Sequence, residues 1–224
     1  MTARPHADRP VELTKLGPLA QLRAGRLGRR LPQLFAGLVL FGVSMALLIR
    51  GTLGVMPWDV LHQGIALHVP LTFGQVVIAT SMLVLALWAV IRQAPGLGTV
   101  ANAIVVGLVV DPSLAVIPEP EGLPARLGLV VAGVLLNGLA SAMYIGAQLG
   151  PGPRDGLMTG FARLTGRSLR LIRTSIEVLV LAAGWLLGGV VGVGTVAYAL
   201  AIGPLTQALL PWWIVRLPAP PPHR

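Results

Sequence analysis

Residues 53–64 read LGVMPWDVLHQG, and residues 149–160 read LGPGPRDGLMTG. Leu, Gly, Pro, Asp, Leu and Gly recur at the same places in both stretches, at an offset of 96 residues (149 minus 53). Two apolar helices can match by composition alone, but Gly, Pro and Asp at fixed spacings mark an internal repeat. The register continues without a gap over about 37–114 and 133–210.

The composition is that of a membrane protein. Of the 224 residues, 54% are hydrophobic and 11% are charged, whereas a soluble domain carries about 25% charged residues. These figures exclude a soluble enzyme, a disordered chain and a folded nucleic-acid-binding domain, despite the net charge of +9. The absence of Cys excludes disulfides and thiolate metal sites.

Apolar runs with at most one charged residue predict six transmembrane spans, since a spanning helix needs about 20 mostly apolar residues. Four single runs cover Leu31–Ile49, Thr72–Ile91, Leu97–Ile117 and Leu123–Ile145. The run 178–215 is long enough for two further spans, with a flexible glycine-rich turn at 188–194. We expect the fifth span to begin near Ser168 and the sixth to end near Trp213.

The positions of Lys and Arg predict the orientation, because short cytoplasmic loops carry an excess of both. With the N-terminus inside, only Arg50 and Arg126 of the 17 basic residues lie outside, which leaves 15 inside (17 minus 2). Both termini are therefore expected in the cytoplasm. Beside a span, the basic N-terminus favours contact with anionic lipid over contact with nucleic acid.

The spans and the repeat together predict four segments. They are a basic cytoplasmic segment 1–32, a three-span repeat 33–118, a second three-span repeat 119–214 and a Pro-rich cytoplasmic tail 215–224. Because three is an odd number, the second copy enters the membrane the other way up. The predicted fold is an all-α polytopic membrane protein made of two inverted three-helix repeats, an architecture that recurs in secondary transporters.

Each copy also contains a Pro-x-Asp motif that predicts a short helix, with Pro at the first position and Asp in the first turn. The helix from Pro57 to about His68 is too short to span the bilayer, so it either lies at the surface or enters as a half-helix. In the second case Asp59 and His62, three residues apart on one face, line one side of a cavity and Asp155 the other. In the first case both Asp residues only stabilise helix starts.

Three further polar residues within apolar runs are candidates for a solute pathway. Glu177 lies inside the fifth span, where a carboxylate is costly unless it is paired or hydrated. Its alternative role is an i, i+4 ion pair with Arg173, and its counterpart in the first repeat is Ser81. Asn102 and Asn137 either line the pathway or form interhelical hydrogen bonds.

Several residues of the repeat are expected to be structural. The two Gly-x-Gly-Thr sequences resemble phosphate-binding loops only superficially, because no Lys follows and no strand precedes them. We interpret them as tight turns, and the glycines at 37, 42, 133 and 138 as close helix contacts. The structural motif comprises Gly54, Pro57, Gly64, Gly150, Pro153, Gly160, Gly96, Gly98, Thr99, Gly192, Gly194 and Thr195.

No pattern in the sequence indicates an enzyme, a cofactor or a metal site. The four His residues lack metal-ligand spacing, and no Ser/His/Asp arrangement or nucleotide fingerprint is present. The leading hypothesis is a transport-type protein that moves a small solute between inverted halves. The alternative is a non-transporting membrane partner that supports a biosynthetic or regulatory complex, which the scarcity of intramembrane polar residues favours.

Three stretches carry a family resemblance: 54–64 (GVMPWDVLHQG), 95–99 (PGLGT) and 150–158 (GPGPRDGLM). Together they resemble the YczE/YyaS/YitT family of bacterial membrane proteins, and the likeness covers about residues 35–213. Met56 stands where that family usually has Gly. The resemblance implies a multi-pass protein of the bacterial inner membrane and transfers no catalytic residue to this chain.

Overall fold

The computed structural model describes residues 16–217, and within that range all regular secondary structure is helical. The helices are α1 Pro18–Arg23, α2 Leu27–Gly51, α3 Pro57–Ala66, α4 Phe73–Val90, α5 Leu97–Val116, α6 Gly122–Gly146, α7 Pro153–Thr165, α8 Leu169–Leu186 and α9 Val193–Trp213. Residues 1–15 of the predicted basic segment and residues 218–224 of the predicted tail lie outside the described range.

Five of these helices, α2, α4, α5, α6 and α9, are long and apolar enough to cross a membrane. The fifth predicted span corresponds to α8, which is as long as α4 at 18 residues. It carries Arg170, Arg173 and Glu177 in its N-terminal half, and these charges lower its hydropathy. The chain is therefore a multi-pass membrane protein, and its regular secondary structure over residues 16–217 is all helical.

Helices α3 and α7 are the two short elements that the Pro-x-Asp motifs predicted. They contain 10 and 13 residues, which at 1.5 Å per residue give only about 15–20 Å of length. Pro57 and Pro153 occupy the first position of each helix, where the missing N–H costs no hydrogen bond. Neither helix can cross a bilayer core of about 30 Å.

Helices α2 and α6 pack against each other at the centre, and glycines allow their close approach. A Cβ added at Gly37 would lie 3.1 Å from the Ala140 carbonyl oxygen, and one added at Gly133 would lie 3.2 Å from that of Ser44. Adding 96 to Gly37 and subtracting 96 from Ala140 gives Gly133 and Ser44, so the two contacts are equivalent positions of the repeat. The close helix contacts that the sequence predicted at both glycines are confirmed.

Each short helix packs on a long helix of the other repeat. Helix α3 lies on α8, where Gly64 contacts Gly184, and α7 lies on α4, where Gly160 contacts Ile91. A Cβ added at Gly64 would lie 2.7 Å from the Gly184 carbonyl oxygen. These interfaces fix α3 and α7 relative to the long helices and hence the position of their N-termini.

Candidate functional site

The N-termini of α3 and α7 line one cavity of about 370 Å³. Met56, Pro57 and Trp58 come from the first repeat, and Pro153 and Arg154 come from the second. The cavity lies where these two short helices approach each other, with further walls from α2, α4, α5, α6, α8 and α9.

Two glycine turns precede α3 and α7. Gly54 and Gly150 have φ values of +109° and +124°, a region that side chains with a Cβ rarely adopt. Beside them the backbones of opposite repeats are joined by one hydrogen bond in each direction. Gly98 N–H donates to the Leu149 carbonyl at 2.7 Å, and Gly194 N–H donates to the Leu53 carbonyl at 2.7 Å.

The Gly-x-Gly-Thr sequences form the turns that support this contact. In each turn the hydroxyl oxygen of the Thr accepts from the first Gly N–H at 3.3 Å, Gly96 to Thr99 and Gly192 to Thr195. The Thr99 hydroxyl also donates to the Pro151 carbonyl at 2.7 Å. Both turns therefore have the structural role that the sequence predicted.

Trp58 and Arg154 occupy equivalent positions in the two repeats and contact each other. The Arg154 guanidinium carbon lies 5.2 Å from the centroid of the Trp58 ring, within the range of a cation–π interaction. Its Nη2 is also 3.7 Å from Asp59 Oδ1. Arg154 thus connects the N-terminus of α7 to both residues at the N-terminus of α3.

A place in the cavity wall was one of the two alternatives that the sequence left open for Asp59 and His62. The structure instead packs both residues behind the cavity, with 0% and 1% exposure. His62 Nδ1 lies 3.2 Å from Asp59 Oδ1, and its Nε2 lies 2.9 Å from the Thr80 hydroxyl. Burial lowers the pKa of His62, which favours the neutral imidazole. Arg154 is then the cation beside Asp59.

Asp155, in contrast, lines the cavity, which is one of the two positions that the sequence left open for it. Its Oδ2 accepts a hydrogen bond of 2.9 Å from the Tyr144 hydroxyl on α6. Within residues 16–217, no basic nitrogen lies within 4.0 Å of either carboxylate oxygen of Asp155. The two Asp residues of the repeat therefore have different surroundings.

Glu177 combines the two roles that the sequence left open. It forms the i, i+4 ion pair with Arg173, whose Nε lies 3.0 Å from Glu177 Oε1. Both residues also line the cavity, and so does Ser81, the counterpart of Glu177. The wall contributed by the first repeat is uncharged at this position, and the wall contributed by the second is charged.

The two Asn candidates differ in their positions. Asn102 lines the cavity, as does its repeat counterpart Tyr198. Asn137 is fully buried between helices: its amide donates to the Ser44 hydroxyl at 2.8 Å and accepts from the Tyr198 hydroxyl at 2.9 Å. It therefore positions Tyr198 rather than lining the cavity.

Sequence reasoning did not single out Tyr144 and Arg154, which make polar contacts at the cavity. Arg154 had a usable signal, because the offset of 96 pairs it with Trp58. Tyr144 corresponds to Leu48, which is buried away from the cavity, so the repeat gave no indication of it.

Comparison with known proteins places the chain in a family. Residues 28–211 match the family of unknown function DUF6198. An uncharacterized protein of Haemophilus influenzae is 39% identical over 185 residues, which cover 83% of this chain and 84% of the relative. The uncharacterized membrane protein YczE of Bacillus subtilis is 32% identical over 179 residues, with 79% and 83% covered.

The uncharacterized protein YyaS of Bacillus subtilis is 26% identical over 179 residues, which cover 78% of this chain and 89% of the relative. No solved structure matches the chain. The resemblance to YczE and YyaS that the motifs indicated is confirmed. The chain is a multi-pass membrane protein that belongs to DUF6198, a family of unknown function.

Proposed function

We propose that this protein has six spans in two inverted repeats and moves a small solute through the cavity between them. The observation that carries the proposal is the shared cavity at the N-termini of α3 and α7. Half-helices of opposite repeats that meet near the bilayer midplane are a recurrent form of substrate site in secondary transporters. That relation is one of architecture, so the function needs its own test.

The exchange of contacts between repeats supports the inverted arrangement. The Gly98 to Leu149 hydrogen bond becomes the Gly194 to Leu53 hydrogen bond when 96 is added to one residue and subtracted from the other. The same offset relates α3 to α7 and α4 to α8, so the packing of α3 on α8 corresponds to the packing of α7 on α4. A two-fold relation between the halves accounts for both correspondences.

In this proposal α8 also crosses the membrane, as the fifth of the six spans along the chain. Its cavity-facing charges, Arg173 and Glu177, neutralise each other as a pair, and intramembrane charges usually face a bundle interior or an aqueous cavity. The exposed apolar residues of its C-terminal half, including Leu179, Trp185 and Leu186, suit contact with lipid. The charge bias of the loops supports an inner-membrane location with cytoplasmic termini.

Cysteine accessibility tests the transport proposal directly, since the chain contains no Cys. Ser141 lines the cavity, whereas Ser44 is fully buried outside the cavity wall. We expect Ser141→Cys to react with a membrane-impermeant thiol reagent added from either face, because alternating access opens the site to both sides. Ser44→Cys should remain unlabelled.

Labelling of Ser141→Cys from one face only, under all conditions tested, would contradict transport. That result would favour the non-transporting membrane partner. Wild-type melting temperature in the Ser141→Cys variant is the check that the fold is intact.

A further inference from the structure

We infer that the solute held in this cavity is a small organic cation, such as an alkylated ammonium compound. That this cation is transported rests on the proposed function. That the cavity binds the cation is measured independently of transport. It follows from the charges, the aromatic side chains and the size of the cavity.

The charges at the cavity leave one carboxylate without a counterion. Arg173 is paired with Glu177 at 3.0 Å, and Arg154 lies 3.7 Å from Asp59. Within residues 16–217, Asp155 accepts a side-chain hydrogen bond only from the neutral Tyr144 hydroxyl, although Arg173 is within longer electrostatic range. Asp59, Asp155 and Glu177 are three acids, whereas Arg154 and Arg173 are two bases and His62 is neutral. A monocation in the cavity would therefore neutralise the remaining negative charge.

Aromatic side chains contribute walls to the same cavity. Phe41, Trp58, Tyr144 and Tyr198 all line it, and they include both Tyr residues of the chain. The Phe41 and Tyr144 rings meet edge to face with centroids 6.2 Å apart. Aromatic faces attract cations and recognise alkylated ammonium groups in particular.

Size and ligand chemistry favour an organic cation over a bare metal ion. A volume of about 370 Å³ falls within the range of sites for small organic molecules, roughly 300–1,000 Å³. Within residues 16–217 no group of three or more His, Cys, Asp and Glu residues is placed to hold a metal ion. An anion would have to displace Asp59 from Arg154 and would face Asp155.

Isothermal titration of the full chain in detergent micelles with tetramethylammonium chloride tests this assignment, with sodium chloride at equal ionic strength as the reference titrant. Wild-type protein should bind tetramethylammonium and not sodium. Asp155→Asn should weaken binding at least tenfold, because it removes the unpaired charge. Tyr198→Leu, which removes one ring, should weaken it about threefold or more.

One matched control accompanies these variants. Glu119→Gln neutralises an exposed acid outside the cavity wall, paired with Arg50, and should leave binding unchanged. Tyr144→Phe alters the cavity itself but keeps the ring and the Asp155 charge, so it should weaken binding less than Asp155→Asn does. Melting curves of all variants establish that they are folded.

Absence of tetramethylammonium binding to folded wild-type protein would overturn the inference, as would equal binding of sodium or unchanged binding by Asp155→Asn. The two proposals fail separately. Binding of the cation with one-sided labelling of Ser141→Cys refutes transport alone, and two-sided labelling without cation binding refutes the solute class alone.

Discussion

The position of α7 depends on the absence of a side chain at Gly156. A Cβ built at this residue would overlap the ring of Trp88 on α4, a residue with 1% exposure. Trp88 also donates its indole N–H to the Pro153 carbonyl at 3.0 Å. Gly156→Ala should therefore push the N-terminal turn of α7, with Arg154 and Asp155, away from α4.

The expected cost follows from three terms. Overpacking a well-packed contact costs about 1–3 kcal/mol, and loss of the indole hydrogen bond adds about 0.5–1.5 kcal/mol. The higher helix propensity of Ala returns up to about 1 kcal/mol. The net loss of unfolding free energy is then near 2 kcal/mol, which for a chain of this size lowers the melting temperature by about 4–8 °C.

Thermal unfolding in detergent micelles, followed by tryptophan fluorescence, measures this effect. Gly128→Ala on α6 is the matched control, because a Cβ there meets no atom within 4 Å, so its melting temperature should equal or exceed that of wild type. In a double-mutant cycle, Trp88→Leu should recover part of the loss caused by Gly156→Ala. A Gly156→Ala variant as stable as wild type would refute the packing argument.

Three further changes probe the contacts around the site. Gly107→Ala should lower the unfolding free energy by about 1–3 kcal/mol, because its Cβ would lie 2.5 Å from the Gly74 carbonyl oxygen. At the repeat counterpart Gly203 an added Cβ has no atom within 4 Å, so Gly203→Ala should be neutral. Equal melting temperatures of the two variants would contradict this. Arg30→Met should cost at least about 3 kcal/mol in chemical unfolding, because the buried guanidinium donates to four backbone carbonyls, and a cost below about 1 kcal/mol would be inconsistent with that role. Gly54→Ala should lower the melting temperature through its positive φ and its contact with the opposite repeat, and an unchanged temperature would show that the turn adapts.

The sequence predicted the helices and the two half-helices because their signals are local. Apolar runs, Pro at the first helical position and the offset of 96 each depend on a short stretch or on a comparison of two stretches. The end of α3 at Ala66 rather than near His68 is the usual uncertainty of a helix terminus.

The surroundings of the candidate residues could not be predicted in the same way, because they depend on contacts between helices distant in the chain. Asp59 and Asp155 look equivalent in sequence, yet Arg154 lies beside the first and the Tyr144 hydroxyl beside the second. Arg30 looks like one more basic residue of the N-terminal segment, yet it is fully buried and holds the carbonyls of Ala147 and Gln148 at the end of α6. Only the packing of α2 on α6 brings those groups together.

The most direct test of the inverted arrangement is the sidedness of the two half-helices. Leu67 follows the last residue of α3 and Leu164 lies in the last turn of α7, with 69% and 59% exposure. In the Cys-free chain, Leu67→Cys should react with an impermeant maleimide added outside the cell membrane, and Leu164→Cys should react only from the cytoplasmic side. Reaction of both from the same side would contradict two half-helices that enter from opposite faces to share one cavity.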